Sequence, residues 1–202
     1  MSKGKLFIIS GPSGSGKDTV LKQLFKIIPD VGFSISCITR PMREGERQDE
    51  KYHFISKEQF LCMIENDELL EYNEYVGNFY GTPKAPVDNC INSGTDMILE
   101  VDVNGAAKVK EKMHEALSIF IMPPSFTELR RRLSSRGTDS VEVIEKRLNA
   151  ALSEISKAKD YDYVVVNDDI SVAAQGIAHI ILSERLKTQR QKQIIDEVLE
   201  KC

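Results

Sequence analysis

The chain has 202 residues and a formal net charge of −4, and 41% of its residues are hydrophobic and 29% are charged. These values are typical of one globular domain, and the negative charge argues against nucleic acid as a partner. No apolar run approaches the roughly 20 residues that span a bilayer, and the four cysteines form no C-x-x-C pair, so we expect a cytoplasmic protein without a signal peptide, membrane segment or disulfide framework.

The first predicted elements surround a phosphate-binding loop. The apolar strand Leu6–Ile9 precedes a glycine-rich turn, and the helical pattern Val20–Ile28 follows it and ends before Pro29. Glycines let backbone N–H groups point at an anion, the helix N-terminus adds partial positive charge, and Lys17 supplies a charge for nucleotide β- and γ-phosphates. The predicted nucleotide-binding residues here are Gly11, Pro12, Ser13, Gly14, Ser15, Gly16, Lys17, Asp18 and Thr19.

Asp18 departs from the usual loop pattern, which has Ser or Thr after the lysine. A carboxylate beside nucleotide phosphates is repulsive, so Asp18 either binds Mg²⁺, directly or through water, or points away along the helix. An acidic residue in the first turn of a helix is also favoured by the helix dipole alone. If Asp18 points away along the helix, Thr19 provides the nearby hydroxyl.

Later apolar runs predict further strands of a parallel sheet. Ile98–Val101, Ile119–Met122 and Tyr163–Val166 read as buried strands, and Ile35–Thr39 is a weaker fifth strand. Helical patterns alternate with these strands, which predicts a doubly wound α/β domain with its ligand site at the carboxyl ends of the strands.

The helical patterns in the second half of the chain have recognisable starts. Gly105–Met113 follows a strand, and Ser125 with Glu128 resembles a capping box that opens a helix through Leu133. Asp139 with Glu142 resembles a second box, which opens a longer helix. The apolar stripe of that helix comprises Ile144, Leu148, Ala151, Leu152 and Ile155.

The last segment, Val172–Leu199, is predicted to be helical with a polar tail, and it could serve self-association into a homo-oligomer or simply be solvated.

Residues 37–90 interrupt the α/β alternation. The segment is polar and rich in aromatic residues, and Lys57–Asn66 is its one clear helix. We expect a small insert of short strands that overhangs the crevice at the carboxyl ends of the core strands.

Basic and polar side chains cluster where that crevice is expected. Arg40 and Arg43 flank Pro41, and Arg136 and Arg147 lie in and after a connection between two helices. Arginine suits phosphate because its planar guanidinium makes two parallel charge-assisted bonds, although arginines on helices are commonly solvated, as we expect for Arg130 and Arg131. Asp102 and Asn167 follow buried strands, where they either contact ligand or act as ordinary strand-to-loop caps.

Across nearly its whole length the chain resembles the guanylate kinases, the ATP:GMP phosphotransferases. Besides the loop at 11–17, the residues that carry the resemblance are Thr39–Glu46, Tyr52–Phe54, Gly77–Thr82, Ile121–Ser125, Ser135–Thr138 and Val166–Asp169. The resemblance implies a P-loop nucleoside-monophosphate-kinase fold with a core (1–36, 91–124 and 149–202), a GMP-binding insert (about 37–90) and a helical lid (about 125–148).

The resemblance also implies roles for individual residues. Arg40, Arg43, Tyr52 and Tyr80 hold the phosphate of GMP, and Glu71 reads the guanine with Ser36 and Thr82. Arg132, Arg136 and Arg147 reach the ATP phosphates and, with Lys17 and Arg43, carry catalysis. The remaining implied contacts are Asp102 and Glu100 on the GMP side and Asn167 near the adenine.

The implied reaction is Mg²⁺-assisted transfer of the γ-phosphoryl group from ATP to GMP, and to dGMP, with closure of the lid. Two further residues depart from the family pattern: Thr82 stands where Ser is common, and Glu100 stands where Asp is usual. Two alternatives remain at this point, a non-catalytic guanylate-kinase-like binding module and a kinase for another small phosphate acceptor.

Overall fold

The computed structural model describes residues 3–135 and 140–200. They form two sheets, one of five strands and one of four, with eight α-helices and two short 3₁₀ turns, at Lys157–Asp160 and Thr188–Arg190. The elements in chain order are β1 (Leu6–Ser10), α1 (Lys17–Ile27), β2 (Gly32–Phe33), β3 (Ser36–Ile38), β4 (Tyr52–Phe54), α2 (Lys57–Glu65), β5 (Leu69–Tyr75), β6 (Asn78–Pro83), α3 (Lys84–Asn92), β7 (Met97–Glu100), α4 (Val103–Lys112), β8 (Leu117–Met122), α5 (Phe126–Ser134), α6 (Val141–Ser156), β9 (Tyr163–Val166), α7 (Ile170–Arg185) and α8 (Lys192–Leu199).

The five-stranded sheet is parallel throughout and has the order β2-β7-β1-β8-β9. Its central strand β1 is buried on both faces, because Phe7 and Ile9 pack toward α1 and α7 while Leu6 and Ile8 pack toward α3 and α4. This arrangement confirms the predicted doubly wound α/β core. No helix in the described part of the chain has the length and apolar character that crossing a bilayer requires.

The predicted fifth core strand, Ile35–Thr39, is wrong. Gly32–Phe33 fills that place in the core sheet, and Ser36–Ile38 instead belongs to the second sheet, whose order is β4-β3-β6-β5. The chain leaves the core sheet after the Ser34 N–H donates to the Ile98 carbonyl at 2.9 Å. Hydrophobicity cannot distinguish the two sheets, because Cys37 is as deeply buried against Phe60 in the insert as a core strand residue is in the main core.

Several helix predictions are corrected by local hydrogen bonds. Helix α1 begins at Lys17, three residues before the predicted start, because Gly16 is its left-handed N-cap. Ser125 caps α5 as predicted, but Ser140 caps α6, and the predicted cap Asp139 lies outside the described residues. Helix α3 lies within and just beyond the predicted insert and was not predicted.

Two other predictions for the second half of the chain are also wrong. The predicted continuous helix over 172–199 is two helices, because Lys187 adopts an extended conformation between them. In α6, Leu148 and Ala151 pack against Leu129 and Leu133 of α5, whereas Leu152 is 50% exposed. Helical spacing alone does not exclude a solvent-facing leucine at the edge of an apolar stripe.

A buried carboxylate joins the C-terminal segment to the sheet at the end remote from the P-loop. Asp96 is 2% exposed, and its side chain accepts hydrogen bonds from the Lys5 backbone N–H at 2.8 Å and from Arg185 Nε at 2.7 Å. Its other ion pair, with Arg190, is 2.8 Å long. The carboxylate therefore compensates two guanidinium groups that lie against the core.

We expect Asp96→Ala to lower the free energy of unfolding by about 3 kcal/mol, because the change leaves these charges without their buried partner. Urea denaturation measures the loss. The matched control is Asp30→Ala, which removes a 66% exposed partner of the same Arg185 and should cost less than about 1 kcal/mol. Equal effects of the two variants would contradict the assigned importance of burial.

Candidate functional site

The glycine-rich loop is a tight turn between β1 and α1 that leaves no room for a side chain at its glycines. Gly14 and Gly16 have φ values of 87° and 89°, in the left-handed region that favours glycine. A Cβ atom on Gly16 would lie 2.5 Å from Asn167 Nδ2, and one on Gly11 would lie 2.3 Å from the Ile121 carbonyl oxygen. The close packing holds the loop backbone in one shape against the ends of β8 and β9.

The Lys17 ammonium lies inside this loop. Its Nζ donates to the carbonyl oxygens of Gly11 at 2.6 Å and Pro12 at 3.3 Å. Burial lowers the pKa of Lys17, and nearby carboxylates oppose that shift, Glu100 most strongly and then Glu154. The cation is thus held at the centre of the loop by its carbonyl groups and by carboxylates on β7 and α6.

Asn167 braces the loop from the end of β9. Its side chain is almost fully buried, and Nδ2 donates to the Ser15 carbonyl at 2.7 Å. The backbone carbonyl of Asn167 accepts from the Arg132 guanidinium at 3.0 Å. The amide nitrogen that we expected near an adenine is therefore bonded to the loop, while Asn167 also lines a cavity of about 550 Å³ that contains Gly16, Thr19 and Arg132.

A second cavity, of about 400 Å³, lies between the four-stranded sheet and the carboxyl end of β7. Glu71 in this cavity is only 8% exposed, and one of its oxygens accepts from the Thr82 hydroxyl at 2.6 Å. Burial raises the pKa of Glu71, and the hydrogen bond from Thr82 opposes that shift. The cavity is lined by Ser36, Glu71, Asn73, Tyr80, Glu100 and Asp102.

Asp102 has a structural bond as well as a place in this cavity. One oxygen accepts from the Gly105 backbone N–H at 2.7 Å and caps α4, and the other accepts from Asn73 at 3.5 Å. A Cβ atom on Gly105 would lie 3.1 Å from a Glu71 oxygen. Asp102 is therefore the cap that one interpretation predicted, and it also lines the cavity, so its contact with a ligand stays a prediction.

Arg40 is oriented by a carboxylate to which the sequence assigned no role. Its two terminal nitrogens each donate to an oxygen of Glu46 at 2.6 Å, and its guanidinium lies 5.6 Å from the centre of the Tyr52 ring. Glu46 also accepts from the Arg43 backbone N–H at 2.8 Å. These hydrogen bonds, chiefly that from Arg40, hold the pKa of Glu46 at about 2. Glu46 thus brings both predicted phosphate-binding arginines onto one turn.

The three predicted lid arginines have different placements. Arg132 lies beside the loop, where its Nε donates to Glu128 at 2.8 Å. Arg147 is half-buried on α6, and Arg136 lies outside the described residues. Helix α5 also lies close to the loop, since a Cβ atom on Gly14 would lie 2.9 Å from Leu133 and 3.0 Å from Leu129.

Two charged residues near the site were not predicted. Glu154 follows Arg147 by seven residues and shares its face of α6; burial raises the pKa of Glu154, and the nearby Lys17 opposes that shift. Lys51 donates to Asp18 at 2.6 Å from the segment just before β4. The spacing from Arg147 could have indicated Glu154, whereas no local pattern brings Lys51 to Asp18.

The geometry places two polar cavities at the carboxyl end of one parallel sheet, with Glu100 lining one of them and Lys17 in the loop beside the other. One cavity adjoins a phosphate-binding loop, and the other contains a buried carboxylate paired with a hydroxyl. Such a site can hold two anionic ligands and neutralise the charge between them.

Comparisons with known proteins agree with this geometry. The model of the guanylate kinase family matches residues 3–184. The chain is 44% identical to a guanylate kinase of Desulfitobacterium hafniense over 195 residues, which cover 96% of this chain and 98% of that one. It is 50% identical to that of Halalkalibacterium halodurans over 188 residues, with 93% and 92% coverage.

The solved guanylate kinase of Anaplasma phagocytophilum superposes with a TM-score of 0.76 at 37% identity, covering 94% of this chain and 90% of that one. Relatives and family model both extend over nearly the full length of the chain. The protein therefore belongs to the guanylate kinase family.

Proposed function

We propose that the protein transfers the γ-phosphoryl group of ATP to GMP, and to dGMP, giving ADP and GDP. The observation that carries the proposal is the buried Glu71–Thr82 pair in a cavity beside the loop that holds Lys17. The loop accounts for a nucleotide phosphate donor, and the pair accounts for a guanine acceptor. The names of the relatives support the same reaction.

Glu71 suits guanine because of the donors that this base presents. Guanine N1–H and N2–H₂ lie side by side and can both donate to one carboxylate. The Ser36 hydroxyl can donate to O6, and the Thr82 hydroxyl can do so only when its single proton turns away from Glu71. Adenine would place a lone pair against the buried carboxylate and offer it no donor in place of guanine N1–H. Sites built on such buried hydrogen bonds reject a mismatched analogue by roughly 10⁴-fold.

The transfer requires charge neutralisation rather than a strong base. A phosphate monoester has a second pKa near about 6, so the GMP phosphate is mostly dianionic at neutral pH. We assign it to Arg40, Arg43, Tyr52 and Tyr80, of which Arg40 is already oriented by Glu46. Lys17, Arg132, Arg136 and Arg147, together with Arg43, then neutralise the charge of the transferring group.

The described residues include no group of three histidine, cysteine or acidic side chains that could hold a metal ion by themselves. This donor set fits a Mg²⁺ ion that is bound mainly by the ATP phosphates and water, with at most one carboxylate oxygen from Asp18. Asp18, with the ATP phosphates and water, would hold this ion, which would neutralise phosphate charge. The ligand role of Asp18 is part of the proposal.

We further propose that residues 125–148 act as a lid over the phosphates and that residues 37–90 carry the GMP site. Closure of the lid excludes water and so limits ATP hydrolysis. The contact of Gly14 with Leu129 and Leu133 supports this, because movement of α5 acts directly on the loop. A cytoplasmic location agrees with Cys37, Cys62 and Cys90, which are free thiols.

Two alternative functions are separated by one assay. A non-catalytic binding module does not need Lys17 inside a working loop, and a kinase for another acceptor does not need the Glu71–Thr82 pair. Purified protein with Mg·ATP and a panel of nucleoside monophosphates, scored by ADP release, should respond to GMP and dGMP and not to AMP. No response to any monophosphate would favour the binding module.

Glu71→Gln should lower kcat/KM for GMP at least about a hundredfold, because an amide nitrogen then faces the guanine donors. KM for ATP should change little, since Glu71 lies in the other cavity. Steady-state kinetics with each substrate varied separately provide the measurement. Glu74→Gln is the control, because Glu74 is exposed on the same strand β5; unchanged GMP kinetics in Glu71→Gln would contradict the guanine assignment.

Lys17→Met should lower kcat by about a thousandfold, because it removes the cation that the loop holds for the transferring phosphate. Its methionine keeps most of the side-chain volume, so the thermal unfolding midpoint should remain close to that of the wild type. Lys26→Met, on the exposed last turn of α1, is the matched control and should keep normal turnover. Near-normal activity of Lys17→Met would refute the catalytic role.

A further inference from the structure

An ion pair joins the two halves of the proposed site. Asp18 is the second residue of α1, directly after Lys17, and its Oδ1 accepts from Lys51 Nζ at 2.6 Å. Lys51 directly precedes β4 of the insert. The side chains are 62% and 51% exposed, so the pair lies at the surface and is open to solvent. It connects the helix of the phosphate loop to the strand that carries Tyr52.

The pair spans two elements that do not pack closely against each other. A cavity of about 400 Å³ separates α1 from the segment that leads into β4, and both Asp18 and Lys51 line it. Leu21 and Phe25 of α1 lie on one side, and Tyr52 lies on the insert side. Because apolar contact across this gap is incomplete, the ion pair contributes to the relative position of the two elements.

The position of Lys51 is transmitted to the acceptor site through the second sheet. Tyr52 follows Lys51 and pairs in register with Ser36 of β3, which lines the cavity of Glu71. Arg40 lies over the Tyr52 ring, with its guanidinium 5.6 Å from the ring centre. An interaction that holds Lys51 in place therefore also restrains Tyr52 and Arg40, which we assign to the GMP phosphate. Through β3 it restrains Ser36, which we assign to the base.

The charge on Lys51 is stable in this setting. Burial favours the neutral amine, but the hydrogen bond and charge of Asp18 outweigh it and raise the pKa of Lys51. Tyr52, with its ring centre 5.9 Å from the ammonium, and Glu100 are the other nearby groups.

We propose that Lys51 is a positioning residue, which through its ion pair with Asp18 holds the GMP-binding insert in register with the phosphate loop. The inference rests on the proposed ATP:GMP transfer. In this pair Oδ1 of Asp18 contacts Lys51, and the pairing is separate from the Mg²⁺ contact proposed for Asp18 above. Loss of the pair leaves the acceptor segment less ordered before GMP binds, so GMP binding must then supply that ordering.

The expected effect is small and specific to GMP. Exposed ion pairs contribute at most about 1 kcal/mol, which corresponds to about a fivefold change in an equilibrium constant. Lys51→Met should therefore raise the Kd of GMP in calorimetry, and KM for GMP, two- to fivefold, while kcat and KM for ATP stay at wild-type values. Lys22→Met is the matched control, because Lys22 lines the same cavity and is exposed on α1.

Three further variants distinguish positioning from a general structural effect. Lys51→Arg should restore the wild-type Kd of GMP, because it keeps the cation. The charge exchange of Asp18→Lys with Lys51→Asp should recover GMP affinity relative to either single change. The difference in Kd between wild type and Lys51→Met should also shrink in about 0.5 M salt, because screening weakens an exposed pair.

Failure of this inference is distinguishable from failure of the proposed function. A wild-type protein that releases no ADP in response to GMP would refute the function. An active wild type whose Lys51→Met and Lys22→Met variants have equal GMP affinity would refute the positioning role. Tighter GMP binding by Lys51→Met, or an equal rise in KM for ATP, would also overturn it.

Discussion

The site depends on one buried residue, Asn167, which joins three parts of the molecule. Its backbone N–H donates to the Met122 carbonyl at 2.8 Å, and its side-chain nitrogen donates to the Ser15 carbonyl. Its backbone carbonyl accepts from Arg132. The ends of β8 and β9, the phosphate loop and helix α5 thus share one set of hydrogen bonds. Breaking these bonds would leave buried donors and acceptors unpaired at a cost in free energy, so the bonds hold the loop to its neighbours.

Three cations of the proposed site, Lys17, Arg40 and Arg132, have partners within the protein itself. Loop carbonyls and carboxylates hold Lys17, Glu46 holds Arg40, and Glu128 holds Arg132. Such pairing orients the side chains and lowers the reorganisation that phosphate binding requires. The two cavities also differ in character, since buried Glu71 provides hydrogen-bond selectivity and the loop provides positive potential. A guanylate kinase needs both, because its substrates share phosphates and differ in their bases.

The amino-acid sequence determined a large part of this description. The order of apolar runs predicted four strands of the parallel core, because β1, β7 and β8 are largely buried. Strand β9 was predicted as buried but is an edge strand whose Val164 and Val166 are exposed. Gly14, Gly16 and Lys17 identified the loop, since their backbone conformations and charge are requirements that few other residues satisfy. The ordered motifs also identified the family. These features are local, and each is encoded within a few neighbouring residues.

Tertiary structure alone decided which sheet Ser36–Ile38 joins, and it determined that α7 and α8 are separate helices. It also decided that the Asn167 amide bonds to the loop and that Asp18 lies beside Lys51, 33 positions along the chain. The sequence around a hydrophobic or charged residue is the same whichever distant residue becomes its partner, so it does not reveal that partner. Its partner is chosen by the packing of distant segments, which no local pattern in the sequence encodes.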